Sequence, residues 1–209
     1  MDRTTVINAA LTLTGNRTVK INDNSPEWVI GDLHYLTCVN AALERTPWSF
    51  ARKTAFLDGL IEGDFEWSTG AKLPDDNIKV RNLYLLPVGL TNKECAFEYR
   101  HDDFEEIAGS LYWGRKGDWC RRRRALIEYT YEAPECDWSP NFRKGVIYRL
   151  AAVFARSINE ESAEAQALDF KADLAFGFAA VKSTDRKNRV DPDQRKMGRI
   201  MRRRIRGSR

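Results

Sequence analysis

Two stretches of helical periodicity flank a middle that cannot be helical, and this split limits the fold more than anything else in the chain. From Trp48 to about Asp137 the sequence is rich in glycine, proline and aromatics, and its apolar runs are short. Residues 51–57, 78–86, 95–100, 110–113 and 125–131 read as strands. In the last of these, Ile127, Tyr129 and Tyr131 fall on one face and Leu126, Glu128 and Thr130 on the other. Gly114-Arg115-Lys116-Gly117 has hairpin-turn chemistry, with Tyr112, Trp113 and Trp119 around it. A small antiparallel sheet of roughly four to six strands is the expectation for this middle.

The flanks carry helix punctuation. Asp2 caps a first helix whose apolar face reads Val6, Ala10, Leu13, and Gly15 stops it. After a polar linker, Ser25-Pro26-Glu27 combines a capping hydroxyl, a proline at the first helical position and an acid in the first turn. Val29, Leu33, Leu36, Val39 and Leu43 then form one stripe, which Thr46-Pro47 ends. Ser139-Pro140 repeats the same start, with Phe142, Val146, Leu150, Val153 and Ser157 at helical spacing. Beyond a break near Asn159, Ala163, Ala167, Phe170, Leu174, Phe178 and Val181 predict a further helix. Its small residues, Ala163, Ala167 and Gly177, permit close helix approach. The fold class expected is α+β: a four-helix bundle from residues 1–50 and 138–183, an inserted antiparallel β domain at 51–137, and an extended basic C-terminal arm at 184–209.

Charge singles out that arm. Residues 182–209 hold twelve basic and three acidic residues, a net +9, whereas residues 1–181 carry −5. A basic tail on a mildly acidic body suits docking onto something acidic, protein or nucleic acid. Met197, Ile200, Met201 and Ile205 recur among Arg199, Arg202, Arg203, Arg204 and Arg206 as a short amphipathic helix that folds on a partner. The longest unbroken apolar stretches, residues 150–155 and 174–181, are far too short to span a bilayer, and the N-terminus shows no signal-peptide core. Six Trp, seven Tyr and ten Phe argue against disorder along the whole chain.

Chemistry is harder to find. Phosphate-binding, dinucleotide-binding, zinc-protease and nucleophile-elbow patterns do not occur. Cys38, Cys95, Cys120 and Cys136 are too sparse for a disulfide scaffold and read as reduced thiols. His34 and Cys38 share a helix face but form only half a metal site, so a packed helix is the plainer reading and no metal or cofactor is expected. His101 beside Asp102 and Asp103 is the best catalytic candidate, against a solvated loop or short helix over residues 100–106. Asp75-Asp76 and Glu105-Glu106 are paired carboxylates, and Pro74-Asp75-Asp76-Asn77 has turn chemistry. The run Arg121, Arg122, Arg123, Arg124 reads either as a basic finger touching DNA phosphates or an acidic neighbouring subunit, or as a solvated strand edge that resists aggregation. Trp28, Trp48 and Trp138 read as core or staple residues. Trp67, Trp113 and Trp119 either cover a thin sheet core or mark an interface.

The order of several segments resembles one family. These are Ala9-Ala10-Leu11 to Gly15, Ala41-Ala42-Leu43 to Arg45, Trp48-Ser49-Phe50-Ala51 and Leu73-Pro74-Asp75-Asp76-Asn77-Ile78-Lys79-Val80. The strand from Ile127 to Tyr131 with Pro134, and Trp138-Ser139-Pro140-Asn141-Phe142 before an Ala-rich helix, complete the set. Together, over residues 5–182, they resemble the head-to-tail connector adaptors of tailed phages, the tail tubular protein A family, with related adaptors in gene transfer agents. The resemblance implies a non-enzymatic subunit of a dodecameric ring below the portal, located in the virion neck. Its partners would be the portal ring, a downstream tail or nozzle protein and copies of itself, with double-stranded DNA passing through and no membrane involved. The segment from Lys196 to Arg209 matches the arm that such adaptors extend towards the portal. An acidic or neutral lumen would let DNA slide, because each phosphate neutralised by Lys or Arg tightens binding. A non-specific nucleic-acid-binding protein using the tail and the Arg121–Arg124 run is the alternative.

Overall fold

The computed structural model describes residues 2–62, 66–87, 99–115 and 123–188. The elements run α1 (Arg3–Leu13), α2 (Pro26–Arg45), β1 (Arg52–Leu57), β2 (Leu60–Glu62), β3 (Trp67–Lys72), β4 (Asn77–Pro87), β5 (Arg100–His101), β6 (Phe104–Ile107), β7 (Ser110–Arg115), β8 (Arg123–Tyr131), α3 (Pro140–Ser157) and α4 (Ser162–Asn188). The fold is mixed α and β, with helices at both ends and antiparallel strands between. Two compact units divide the described residues: one within Leu33–Trp138, the other Asp2–Asp32 together with residues 139–188.

The strand unit differs from the single sheet expected. It holds two four-stranded antiparallel sheets, ordered β1-β8-β4-β5 and β2-β3-β7-β6. Their buried faces share one core, in which Leu83, Leu85, Ile127 and Tyr129 meet Ala71, Leu111 and Trp113. The second sheet is hard to see in sequence because β3 reads Trp-Ser-Thr-Gly-Ala-Lys, without bulky alternation. Gly70 is small there because the Tyr112 ring lies over it: a Cβ would come within 2.6 Å of that ring. Residues 100–106, read as a loop or short helix, supply β5 and β6 instead. The hairpin turn between β6 and β7 is Ala108-Gly109, both with positive φ (48° and 76°). Gly114 and Arg115, expected in a hairpin turn, lie inside β7, which pairs with β3 and β6. Lys116 and Gly117, like residues 95–98 of the expected strand 95–100, are outside the described residues.

In β8 the alternation holds, and both faces are covered. Ala125, Ile127 and Tyr129 enter the shared core, while Leu126 packs with Leu86 on the other side. Glu128 and Thr130 on that second face are buried too. Glu128 is satisfied by Arg52 at 3.1 Å, Asn82 at 3.2 Å and the Tyr84 hydroxyl at 3.3 Å. Thr130 accepts from Arg81, whose guanidinium also donates to the carbonyls of Leu43 and Glu44 at the end of α2. Those carbonyls are the orphan acceptors every helix leaves at its C-terminus.

The helical unit starts where the punctuation says. Asp2 accepts from the Thr5 backbone N–H at 2.9 Å, and Ser139 accepts from that of Phe142 at 3.3 Å with Pro140 opening α3. Ser25 receives the Trp28 N–H at 3.3 Å. The linker after α1 is pinned by a reciprocal pair: Asn8 Nδ2 donates to the Val19 carbonyl, and the Val19 N–H donates to Asn8 Oδ1. Helix α3 is central and packs on both α1 and α4. Helices α1, α3 and α4 share this unit with part of α2. Only the first turns of α2 belong to this unit, where a Cβ on Gly31 would lie 3.0 Å from Ile7 and 3.1 Å from Phe154. From Leu33 on, α2 belongs to the strand unit. Helix α4 runs to Asn188, into the segment expected to be extended. Residues 189–209, which hold the rest of the arm, are outside the described residues.

Candidate assembly surface

Helix α4 is rotated away from the stripe its sequence suggests. Its buried positions are Ala165, Leu168, Ala172, Ala175, Phe176 and Ala179. Alanines at that spacing let two helices come close, and the neighbour answers with a glycine. A Cβ on Gly145 of α3 would fall 2.5 Å from the Phe176 ring, which also tilts against Phe142 at a centroid distance of 5.6 Å. Ion pairs set the same rotation. Arg149 of α3 binds Asp169 at 2.8 Å and Asp173 at 2.9 Å, and Arg156 also pairs with Asp169. These two carboxylates lie one turn apart, so they anchor one side of α4 to α3.

The consequence is an apolar face turned to solvent. Phe170 is 65% exposed, Leu174 47%, Phe178 65% and Val181 62%. Ala163, Ala167 and Gly177 are exposed with them, and no atom lies within 4 Å of where a Gly177 Cβ would stand. Positions 163, 167, 170, 174, 177 and 181 alternate steps of four and three, the spacing of a helix seam that meets another helix. Helix α2 has a second such face. Val29 is 54% exposed, Leu33 69% and Leu36 44%, again at steps of four and three. The expected core stripe on α2 is therefore only half right. Val39 and Leu43 are buried, but the inward positions nearer the N-terminus are Trp28, Gly31, Tyr35 and Cys38. On α1, Leu13 is likewise exposed, and Ile7 and Leu11 are buried beside Val6 and Ala10.

Most other candidates resolve into structural roles. Asp76 accepts from Lys53 at 2.7 Å and from the Tyr129 hydroxyl at 2.9 Å, and Asp75 pairs with Lys72 at 3.1 Å. Burial, then the bond to Asp76, pushes the Tyr129 phenol up to about 12. Desolvation pushes the Asp76 carboxyl up, but the bonds from Lys53 and Tyr129 outweigh it and hold it below the ordinary aspartate value. Glu105 receives the Trp67 indole N–H at 3.1 Å. Glu106 receives the Val80 N–H at 2.9 Å, beside an irregularity in the β4–β8 register. His101 sits on β5 opposite Leu83, while Asp102 turns to Arg100 at 2.7 Å. Cys38 is buried and His34 half-buried on α2, and no cluster of three metal-ligating side chains occurs among the described residues. Trp28, Trp48, Trp67, Trp113 and Trp138 are all buried, and Trp119 is outside the described residues.

The basic candidates are only partly described. Residues 121 and 122, and Met197, Arg199, Ile200, Met201, Arg202, Arg203, Arg204, Ile205 and Arg206, are outside the described residues. Arg123 pairs with Pro87 through the backbone at the start of β8. Arg124 is exposed and lies over the Phe56 ring at 4.3 Å. β8 is an interior strand rather than an edge, but Arg123 and Arg124 run past the last β1 pair, Leu57 with Ala125.

One small open cleft lies in the strand unit, about 140 Å³, lined by Tyr35, Val39, Ala133 and Trp138 with Glu132 and Glu135. Small-molecule sites run about 300–1,000 Å³, so this one has room for a single side chain. Glu135 already accepts the Tyr35 hydroxyl at 2.6 Å. No helix among the described residues is long and apolar enough to cross a membrane.

The signal for the outward faces was present in the sequence but pointed two ways. A row of apolar residues at steps of three and four marks a contact, without saying whether the partner lies in the same chain. The alanines at 165, 172, 175 and 179 and the acids at 169 and 173 marked the face that packs inside. No protein-family model matches this chain, and no curated protein matches it.

Proposed function

We propose that this chain is a structural connector subunit that assembles with copies of itself into a ring at the head-to-tail vertex of a tailed phage or gene transfer agent. The observation that carries the reading is the α4 seam, where Phe170, Leu174, Phe178 and Val181 face solvent while Ala165, Ala172, Ala175 and Ala179 pack inside. Four large apolar side chains exposed together on one helix face are the kind of patch that marks a protein contact. The order of motifs from Ala9 to Phe142 adds the resemblance to connector adaptors. In this reading the protein is not an enzyme. The portal ring lies on one side, a tail or nozzle protein on the other, and double-stranded DNA passes through the ring. The basic segment 189–209 serves as the arm, its arginines meeting acidic groups of the portal while Met197, Ile200, Met201 and Ile205 bury.

Mass photometry of the purified protein, alone and mixed with its portal ring, tests this. The expected result is a ring-sized gain in mass on the portal, lost when residues 189–209 are removed. No assembly on the portal, together with DNA binding through that same segment that falls steeply with salt, would instead favour a non-specific nucleic-acid-binding protein.

A further inference from the structure

We infer that the two exposed helix faces are the two halves of one subunit interface: Val29, Leu33 and Leu36 on α2 of one copy seat on Phe170, Leu174, Phe178 and Val181 on α4 of the next. The inference rests on the connector reading and names the occupant of the α4 seam as a second copy of this chain.

Three features support that occupant. The faces match in period. Both run at steps of four and three, so two helices laid along each other keep their apolar rows in register. They also match in relief. Ala167 and Gly177 are small and exposed in the same row as Phe170 and Leu174, and nothing lies within 4 Å of where a Gly177 Cβ would stand, so the branched Leu33 and Leu36 have room to pack over them. Their flanks bring no unpaired like charges together: Asp32 beside the α2 face binds Arg3, and the α4 face is bordered by exposed Lys171 and by Asp173, which Arg149 binds.

The faces lie on different helices, which decides the symmetry. Pairing α4 with α4 of a second copy would be isologous and would leave the α2 face bare. Pairing α2 with α4 covers both faces with a single kind of contact. A contact between two different patches is head-to-tail, and it closes into a ring where the rotation allows. Area sets the strength. The α4 face is four large side chains on one helix, short of the ~800 Å² that each partner gives in a standard stable interface. A single contact is therefore weak but forms at the top of the concentration range, and a closed ring, in which each subunit makes two, forms at lower concentration.

Sedimentation velocity over a wide concentration range tests the pairing, using two variants with substitutions only at exposed positions. One carries Leu33→Asp and Leu36→Asp, the other Leu174→Asp and Phe178→Asp. Thermal melts confirm that each folds, and the corresponding serine substitutions serve as a milder second set. The expected result is that the wild-type chain associates beyond dimer with rising concentration. Each variant alone then stays monomeric, its association weakened at least tenfold, and an equimolar mixture forms a heterodimer and stops there. The heterodimer is the diagnostic species, because each variant retains the one face the other has lost. If the α2 variant alone associates as the wild type does, α4 pairs with itself and the inference is overturned. If the wild-type chain stays monomeric, or the mixture does while the wild type associates, it is overturned as well. Ring formation on the portal is scored separately, so a connector that assembles through other surfaces is distinguishable from a chain that is no connector.

Discussion

Helices α3 and α4 pack against each other in the same unit and use their large apolar residues in opposite ways. Helix α3 turns Phe142, Val146, Leu150 and Phe154 inward. Helix α4 turns Phe170, Leu174, Phe178 and Val181 outward and packs mainly alanine inside. Position explains the difference. Helix α3 has α1 on one side and α4 on another, so its surroundings must be filled with volume. Helix α4 covers α3 from outside, and Gly145 lets it approach closely. The rotation is then held by Asp169 and Asp173 on Arg149 and Arg156. Burial of a large side chain thus follows from where its helix sits and what its polar neighbours bind, and size alone does not decide it.

The largest effect expected separates the two helices directly. Phe154→Ala removes a fully buried ring and should cost about 3–5 kcal/mol in urea unfolding. Phe178→Ala removes a larger exposed area and should change monomer stability by no more than about 0.5 kcal/mol. The same pair should reverse in any assembly assay. Equal losses of stability would mean that the α4 face is covered within the monomer, and the comparison would fail. The close approach can be tested next. Gly145→Ala places a methyl 2.5 Å from the Phe176 ring and should cost about 1–3 kcal/mol. Adding Phe176→Leu should recover part of that loss, since contacting residues couple. Additive losses would place the strain elsewhere.

These contrasts follow what the sequence made legible and what it did not. Helix starts were readable because capping is local: Asp2, Ser25 and Ser139 each bond a backbone N–H three residues on. Strands with clear alternation, such as β8, were readable for the same reason. The second sheet was not. Its turn uses Ala108 ahead of Gly109, a residue that gives no turn signal, and its strands carry acids whose partners are distant in sequence. Glu106 meets Val80 and Glu105 meets Trp67 only once the fold exists. The candidate surface was half legible. Its repeat was visible, but a repeat reads the same whether its partner is in the same chain or in another.

A smaller effect sharpens the account of α3 as the fixed centre. Ser139→Ala removes the side-chain acceptor of the Phe142 N–H and should cost about 1 kcal/mol, whereas Ser139→Gly should cost only a few tenths. Thermal or urea unfolding of the two variants measures this. A loss of 3 kcal/mol or more would mean that Ser139 does more than cap.

The smallest effect is a pH dependence, and it belongs to the strand unit. Asp76 titrates below its ordinary value in the folded chain because Lys53 and Tyr129 bond its charged form. The unfolded chain binds that proton first as pH falls, at about 3.9. The stability Asp76 adds is therefore fully present at neutral pH and drains away as pH drops through 4 towards the lowered folded value. Tyr129 works at the other end. Its phenol is pushed up to about 12, so its contribution holds below about pH 10 and is lost as pH rises towards 12. Urea midpoints at pH 6 and pH 3 for the wild type and Asp76→Asn isolate the acid limb. The wild type should lose more stability over that interval than the variant. Parallel losses would mean that the charge of Asp76 contributes nothing to folding, and that the turn at Pro74 to Asn77 does not depend on it.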